Sequence, residues 1–153
     1  MAAPGAFMSR EIPSAAAWLG VLGVLPFAAI ALGVMLLPEG HLRETMLIAF
    51  VAWSSASLAF LGGIRWGASL TEPRARPLIL ATMPMLMATG CLLILPRDAI
   101  KVQALLFVVM GIFDVMRRPA PEWPAWFMKL RARLSGVVVV IHVALLAALA
   151  GQA

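Results

Sequence analysis

The ionisable residues that lie inside apolar segments are the first candidates for chemistry in this sequence. Asp114 and His142 lie nearest the interior of such segments, where ionisable groups are costly and usually functional. His142 suits either a proton-relay or ligand-binding role, or a neutral ring that hydrogen bonds to a neighbouring helix. Asp114 is near enough in sequence to Arg117 and Arg118 to form an ion pair at the membrane interface. These residues define a candidate intramembrane polar site.

The most distinctive motif is a glycine-rich segment around an arginine and a tryptophan. It contains Gly62, Gly63, Arg65, Trp66 and Gly67. The planar guanidinium of Arg65 suits a phosphate headgroup or another anionic ligand. The alternative is a helix-packing face followed by an interfacial Arg–Trp anchor. The motif is therefore a candidate lipid-binding, partner-binding or packing site.

The same segment includes a row of small residues. Ser55, Ala59, Gly63 and Gly67 follow one another at i, i+4 spacing. Small residues let helices approach one another closely in lipid. We expect this row to face another helix.

The sequence contains no recognisable catalytic or metal-binding pattern. Its histidines are His41 and His142, and its single cysteine, Cys91, excludes an internal disulfide and a cysteine-based metal site. No HExxH, CxxC, GxSxG or P-loop pattern is present. We therefore predict no catalytic residues, no cofactor and no metal, and a non-enzymatic protein.

The composition explains where these residues must lie. Apolar residues make up 63% of the 153-residue chain and charged residues 12%, against about 45–50% and 25% in soluble proteins. A water-soluble domain of this size cannot bury that much apolar surface, so part of its solvent is lipid. The net charge of +5 then indicates anionic lipid headgroups as partners and not nucleic acid.

Apolar runs divide the chain into five predicted transmembrane helices within a single domain. We place these spans at about 15–37, 45–64, 77–95, 99–116 and 134–150. The fourth is the weakest, because its uncharged part covers only 102–113 and a span needs about 20 residues. The predicted fold class is an all-α polytopic integral membrane protein.

The segment before the last span predicts a short helix at the cytoplasmic interface. From Pro124 to Leu134 it combines tryptophan and other apolar residues with Lys129, Arg131 and Arg133. This composition is typical of helices that lie in the membrane surface. The alternative is a simple extension of the last span.

The distribution of basic residues predicts the orientation. With five spans, nine of the twelve Lys and Arg residues lie on the side of the N-terminus, and basic residues favour the cytoplasm. We expect a bacterial inner-membrane protein with a cytoplasmic N-terminus and a periplasmic C-terminus.

Three segments together are similar to a known family. LGVLGVLPF (19–27), SLAFLGGIRWGASL (57–70) and, after Asp114, WPAWFMKLRARLS (123–135) resemble the small membrane-protein family that includes transmembrane protein 69. The resemblance covers nearly the whole chain. It implies a multipass topology and no known reaction, and the eukaryotic members are associated with mitochondria.

Three functions remain open at this point. The first is a non-enzymatic protein that binds a lipid, a membrane-protein partner or a second copy of itself. The second is a small oligomeric transporter or channel, with Pro26, Pro84 and His142 along the pathway. The third is an integral membrane enzyme, which has the least support because no catalytic constellation is visible.

Overall fold

Five α-helices make up the described part of the chain. The computed structural model describes residues 11–70, 74–116 and 123–151, and no strand occurs in these ranges. The helices are α1 (Ser14–Leu36), α2 (His41–Ser69), α3 (Ala75–Cys91), α4 (Pro96–Met116) and α5 (Ala125–Ala150). The all-α prediction is confirmed.

Contacts between α2 and α3 show that these helices are antiparallel. Ser55 Oγ donates a hydrogen bond to the backbone oxygen of Ala88 at 2.9 Å. About two turns further along α2, a Cβ on Gly62 would lie 2.7 Å from the backbone oxygen of Ala81. The partner positions fall as the α2 positions rise, so the two helices run in opposite directions.

Helix α1 is also antiparallel to α2. The indole Nε1 of Trp53 donates to the backbone oxygen of Gly23 at 3.2 Å. Further along α1, the rings of Phe27 and Phe50 have centroids 5.7 Å apart. The α2 positions fall as the α1 positions rise, so the two helices run in opposite directions.

Helix α4 runs parallel to α2. Gln103 donates to the backbone oxygen of Val51 at 3.0 Å, and further along both helices Asp114 contacts Arg65. The connection between α3 and α4 therefore brings the chain back, and α4 repeats the direction of α2.

Helix α5 runs opposite to α2 and α4. Its early residue Arg131 contacts Asp114 near the end of α4, whereas His142 contacts Ser54 in the middle of α2. The five helices thus cross the bundle in alternating directions. We call the end with the start of α1 the amino end, and the end with the start of α2 the carboxyl end.

Large apolar side chains cover the outer surface of the bundle as well as its interior. The fully buried side chains include Phe27, Phe50, Leu58 and Leu145, yet large apolar side chains also cover the outside, up to Leu93 at 84% exposure. Exposed apolar patches of this extent are unusual in soluble monomers. An apolar outer surface of this extent is stable in lipid, so this is a membrane protein.

Three of the described helices are long and apolar enough to cross a membrane. These are α1, α2 and α5. Helix α3 has 17 residues, fewer than the about 20 that a straight span needs, and α4 begins with three charged residues within its first six. Five spans therefore remain a prediction.

The segment expected at the interface is part of α5. This helix is continuous from Ala125 to Ala150, so the alternative, an extension of the last span, is what the structure shows. The expectation of a separate interfacial helix is corrected accordingly. Its charges divide between the two faces: Lys129 and Arg133 are exposed, whereas Arg131 points into the bundle.

Candidate functional site

Three charged side chains from three helices meet inside the amino end of the bundle. Arg65 of α2, Asp114 of α4 and Arg131 of α5 are exposed by only 9%, 4% and 5%. Arg65 Nε donates to Asp114 Oδ1 at 2.9 Å, and Arg65 Nη2 contacts the same oxygen. Arg131 Nε donates to Asp114 Oδ2. We call these residues the Arg–Asp–Arg cluster.

Helical periodicity places each member of the cluster on an inward face. On α2, Arg65 lies three residues after buried Gly62, and on α5, Arg131 lies seven residues before buried Val138. Residues three, four or seven apart share a helix face. All three residues lie within about two turns of a helix end, so the cluster lies close to one end of the bundle.

Two aromatic rings lie beside the cations of the cluster. The Cζ atom of Arg65 is 4.2 Å from the ring centroid of Phe113. The Cζ atom of Arg131 is 5.6 Å from the ring centroid of Trp123. Cation–π contacts are strongest where water is excluded, so these rings both attract the guanidinium groups and shield them from solvent.

The cluster has more donors and more positive charge than its own acceptor can satisfy. Among the described residues, two guanidinium groups face one carboxylate, which leaves an excess of one positive charge in the cluster. The Nη1 and Nη2 atoms of Arg131 are buried and have no hydrogen-bond partner within the described ranges. Buried unsatisfied donors are destabilising, most of all when charged. The site is therefore suited to an additional anionic group.

The structure divides the glycine-rich motif between two faces of α2. Gly62 and Arg65 are buried, whereas Trp66 is 44% exposed. A Cβ on Gly63 or Gly67 would meet nothing within 4 Å among the described residues. The motif as a whole is thus not one surface, because Arg65 lies inside the bundle whereas Trp66 lies on its outside.

The expected row of small residues, Ser55, Ala59, Gly63 and Gly67, likewise does not lie on one face of α2. Each step of four residues turns about 40° past a full helical turn, so the row drifts from buried Ser55 to exposed Gly63 and Gly67. The close contact with α3 runs through Ser55 and Gly62. A partner contact through Gly63 stays a prediction.

Among the described residues, the partners of Asp114 are Arg65 and Arg131, 49 and 17 positions away. The expected partners Arg117 and Arg118 lie outside the described residues, so that pairing stays a prediction. Sequence reasoning did not assign Arg131 to this site. A signal was present, because Arg131 lies eleven residues, or about three turns, before His142.

The second expected site residue, His142, lies in the middle of the bundle and is fully buried. Its Nδ1 lies 2.8 Å from the backbone oxygen of Val138, which can only accept, so Nδ1 carries the hydrogen. If the ring is neutral, Nε2 accepts from Ser54 Oγ, which lies 3.2 Å away. The geometry fits the interhelical hydrogen bond expected of a neutral ring. The surrounding rings are those of Phe27, Phe50 and Phe107.

A further polar contact links α2, α3 and α4 at the same depth. Gln103 Nε2 lies 2.9 Å from Ser55 Oγ, which itself donates to Ala88 of α3. Gln103 Oε1 is buried without a partner in the described structure. Sequence reasoning missed Gln103, although an amide within an apolar run is an available signal.

Asp114 and His142 do not form one polar site. Asp114 belongs to the cluster at the amino end, whereas His142 contacts Ser54 about three turns of α2 from Arg65. Within the described ranges, no group of three or more His, Cys, Asp or Glu residues could hold a metal ion. The Arg–Asp–Arg cluster is therefore the candidate functional site.

Comparison with known proteins places the chain in a family. Residues 12–147 match the family described as "Protein of unknown function (DUF3429)". The chain belongs to this family. Its resemblance to the family of transmembrane protein 69 is likewise confirmed. No solved structure matches significantly.

The curated relatives are named as transmembrane proteins. The chain is 34% identical over 138 residues to transmembrane protein 69 of Xenopus tropicalis, covering 85% of this chain and 53% of the relative. It is 28% identical over 129 residues to transmembrane protein 69 of Mus musculus, covering 79% and 51%. The chain thus spans about half the length of the curated relatives it matches. Neither the family description nor these names state a reaction.

Proposed function

We infer that this protein is a non-enzymatic multipass protein of a bacterial inner membrane that binds a lipid or a membrane-protein partner. The observation that carries this function is the Arg–Asp–Arg cluster, a buried site with an excess of positive charge. Such groups are expensive inside a membrane and are usually retained for function. A binding role uses the charge directly.

The bonding of Asp114 argues against acid–base catalysis at the cluster. Both carboxylate oxygens already accept from guanidinium groups, Oδ1 from Arg65 and Oδ2 from Arg131. A general base must reach the proton that it removes, and both oxygens of this buried carboxylate face the guanidinium groups. Asp114 therefore serves to hold and orient the two cations.

The up-and-down bundle supports five spans with the termini on opposite sides. Exposed basic residues of the amino end are Arg74, Arg76, Lys129 and Arg133. At the carboxyl end, Arg97 and Lys101 are exposed, and Lys101 pairs with Asp98 at 2.9 Å. The excess of basic residues at the amino end favours a cytoplasmic N-terminus and a periplasmic C-terminus.

The binding function is tested by extracting the protein with its surrounding lipid in polymer nanodiscs and weighing the complexes by native mass spectrometry. A retained anionic lipid, a stoichiometric partner or a discrete homo-oligomer is the expected result. A bare monomer that carries none of these would contradict the proposal.

The alternative function, a small oligomeric transporter or channel, has less support. His142, the residue expected to line a pathway, is fully buried among three aromatic rings. Substrate-dependent flux into vesicles that contain the purified protein would favour this alternative over simple binding.

A further inference from the structure

We propose that the amino groups of Arg131 bind a phosphate group, which completes the Arg–Asp–Arg cluster at the amino end of the bundle. This inference rests on the proposed binding function and names the chemistry of the ligand. The phosphate comes either from an anionic lipid headgroup or from a soluble phosphate compound. The two sources present the same oxygens to Arg131.

The first argument is the direction in which Arg131 can still donate. Its Nε is engaged by Asp114, while Nη1 and Nη2 have no partner among the described residues. These atoms lie in the plane of a guanidinium group that Asp114 and the ring of Trp123 hold in place. A planar pair of donors matches two oxygens of a phosphate.

The second argument is charge. Arg65 and Arg131 contribute two positive charges and Asp114 one negative charge, so a singly charged phosphodiester would neutralise the cluster. Asp114 cannot supply more, because a carboxylate carries a single negative charge and Asp114 shares it with Arg65. An unneutralised cation inside a membrane protein is strongly unfavourable. Phosphate binding relieves this cost.

The third argument is depth. Arg131 lies six residues after the start of α5, or about 9 Å along the helix. The 19 residues that follow Arg131 in α5 extend about 29 Å, close to the thickness of the hydrocarbon core. An α5 that spans the core with this part would hold Arg131 near the phosphates of one leaflet. Exposed Lys129 and Arg133 on the same part of α5 attract anionic lipid to this end of the protein.

The test compares Arg131→Gln with the matched control Arg133→Gln. Both remove one positive charge from α5, but Arg133 is exposed and makes none of the contacts described for the cluster. The proteins are placed in nanodiscs of phosphatidylcholine with 10% or no phosphatidylglycerol. We expect Arg131→Gln to weaken retention of phosphatidylglycerol roughly tenfold or more, and Arg133→Gln to change it far less.

A second arm separates the two sources of phosphate. Inorganic phosphate is titrated against the protein in pure phosphatidylcholine nanodiscs, and the shift in melting temperature is recorded, with sulfate-free chloride at matched ionic strength as the reference. Stabilisation by inorganic phosphate without retention of phosphatidylglycerol assigns a soluble ligand. Retention of phosphatidylglycerol assigns a lipid headgroup. Either effect must disappear in Arg131→Gln.

A conservative variant keeps the test decisive if Arg131→Gln does not fold. Arg131→Lys retains the charge beside Asp114 but replaces the planar pair of donors with one ammonium group. We expect the same direction of change in both arms. Equal retention and equal stabilisation in wild type and in the folded Arg131 variants would overturn the phosphate site.

Failure of this inference is distinguishable from failure of the proposed function. A partner or homo-oligomer retained equally by wild type and both Arg131 variants, with no Arg131-dependent phosphate effect, overturns the phosphate site and leaves the binding function standing. A wild-type protein that retains no lipid, partner or second copy, and that inorganic phosphate does not stabilise, overturns both.

Discussion

At the scale of single residues, Asp114 is the group on which the cluster depends. Its two oxygens accept from two guanidinium groups on different helices. Without this carboxylate, Arg65 and Arg131 would be like charges buried side by side. The carboxylate therefore stabilises both the position of the cations and the contact of α2, α4 and α5 at the amino end.

Replacement of Asp114 by alanine should destabilise the protein strongly. Removing one partner of a buried ionic group typically lowers the free energy of unfolding by about 3–5 kcal/mol. The control is Asp98→Ala, which breaks a pair whose side chains are more than half exposed and should lower it by less than about 1 kcal/mol. Denaturation in detergent measures both values, and similar small losses would show that the cluster contributes little to stability.

At His142, packing and hydrogen bonding should contribute different amounts to the free energy of unfolding. We expect Ser54→Ala, which removes the hydrogen bond to Nε2, to lower the free energy of unfolding by about 0.6 kcal/mol. We expect His142→Ala, which also empties a site lined by three aromatic rings, to lower it by roughly 3 kcal/mol. Unchanged stability of His142→Ala would rule out a packing role for this ring.

At the scale of the helices, the contact between α2 and α3 depends on one glycine of an adjacent pair. The backbone oxygen of Ala81 lies where the side chain of residue 62 would begin. Glycine permits this approach because it has no Cβ. Gly63, one position later, points about 100° away around the helix and meets no described neighbour.

Alanine substitutions at these two glycines should therefore have different effects on stability. We expect Gly62→Ala to lower the free energy of unfolding by about 1–3 kcal/mol, because the new Cβ forces α3 to move. We expect Gly63→Ala to be neutral or to raise it by up to about 1 kcal/mol, since alanine favours a helix. Thermal unfolding of the two variants in one detergent makes the comparison. If Gly63→Ala instead dissociated an oligomer, the partner contact predicted for this residue would gain support.

At the scale of the whole molecule, the alternating directions of the helices place the connections at two ends. Glu39 lies in the connection between α1 and α2 at the carboxyl end, and Leu70 lies just after α2 at the amino end. Both side chains are exposed, by 77% for the side chain of Glu39 and 60% for Leu70. They are therefore suitable reporters of the two sides of the membrane.

Labelling of single cysteines tests the proposed orientation. In a Cys91→Ala background, which removes the one native cysteine, we expect Glu39→Cys to react with a membrane-impermeant thiol reagent in spheroplasts. Leu70→Cys should react only after permeabilisation, because the excess of basic residues at the amino end predicts that this end faces the cytoplasm. The reverse pattern would invert the topology, and labelling of both from outside would exclude a span through α2.

The sequence by itself determined the class of molecule and the identity of its polar residues. An apolar fraction of 63% in 153 residues cannot be buried in water, and runs of apolar residues of helical length predict helices in lipid. Asp114, His142 and Arg65 stood out because charge and polarity inside such runs are rare. These inferences depend only on local composition and spacing.

Only the tertiary structure decided which of these residues meet. Asp114 has nearby basic residues in sequence, yet its partners within the described chain lie 17 and 49 positions away. Likewise, Gly62 and not Gly63 contacts α3. A helix can present any face to its neighbours, and a rotation of about 100° exchanges adjacent residues. That rotation is set by the packing of all five helices, so the spacing within one helix does not reveal it.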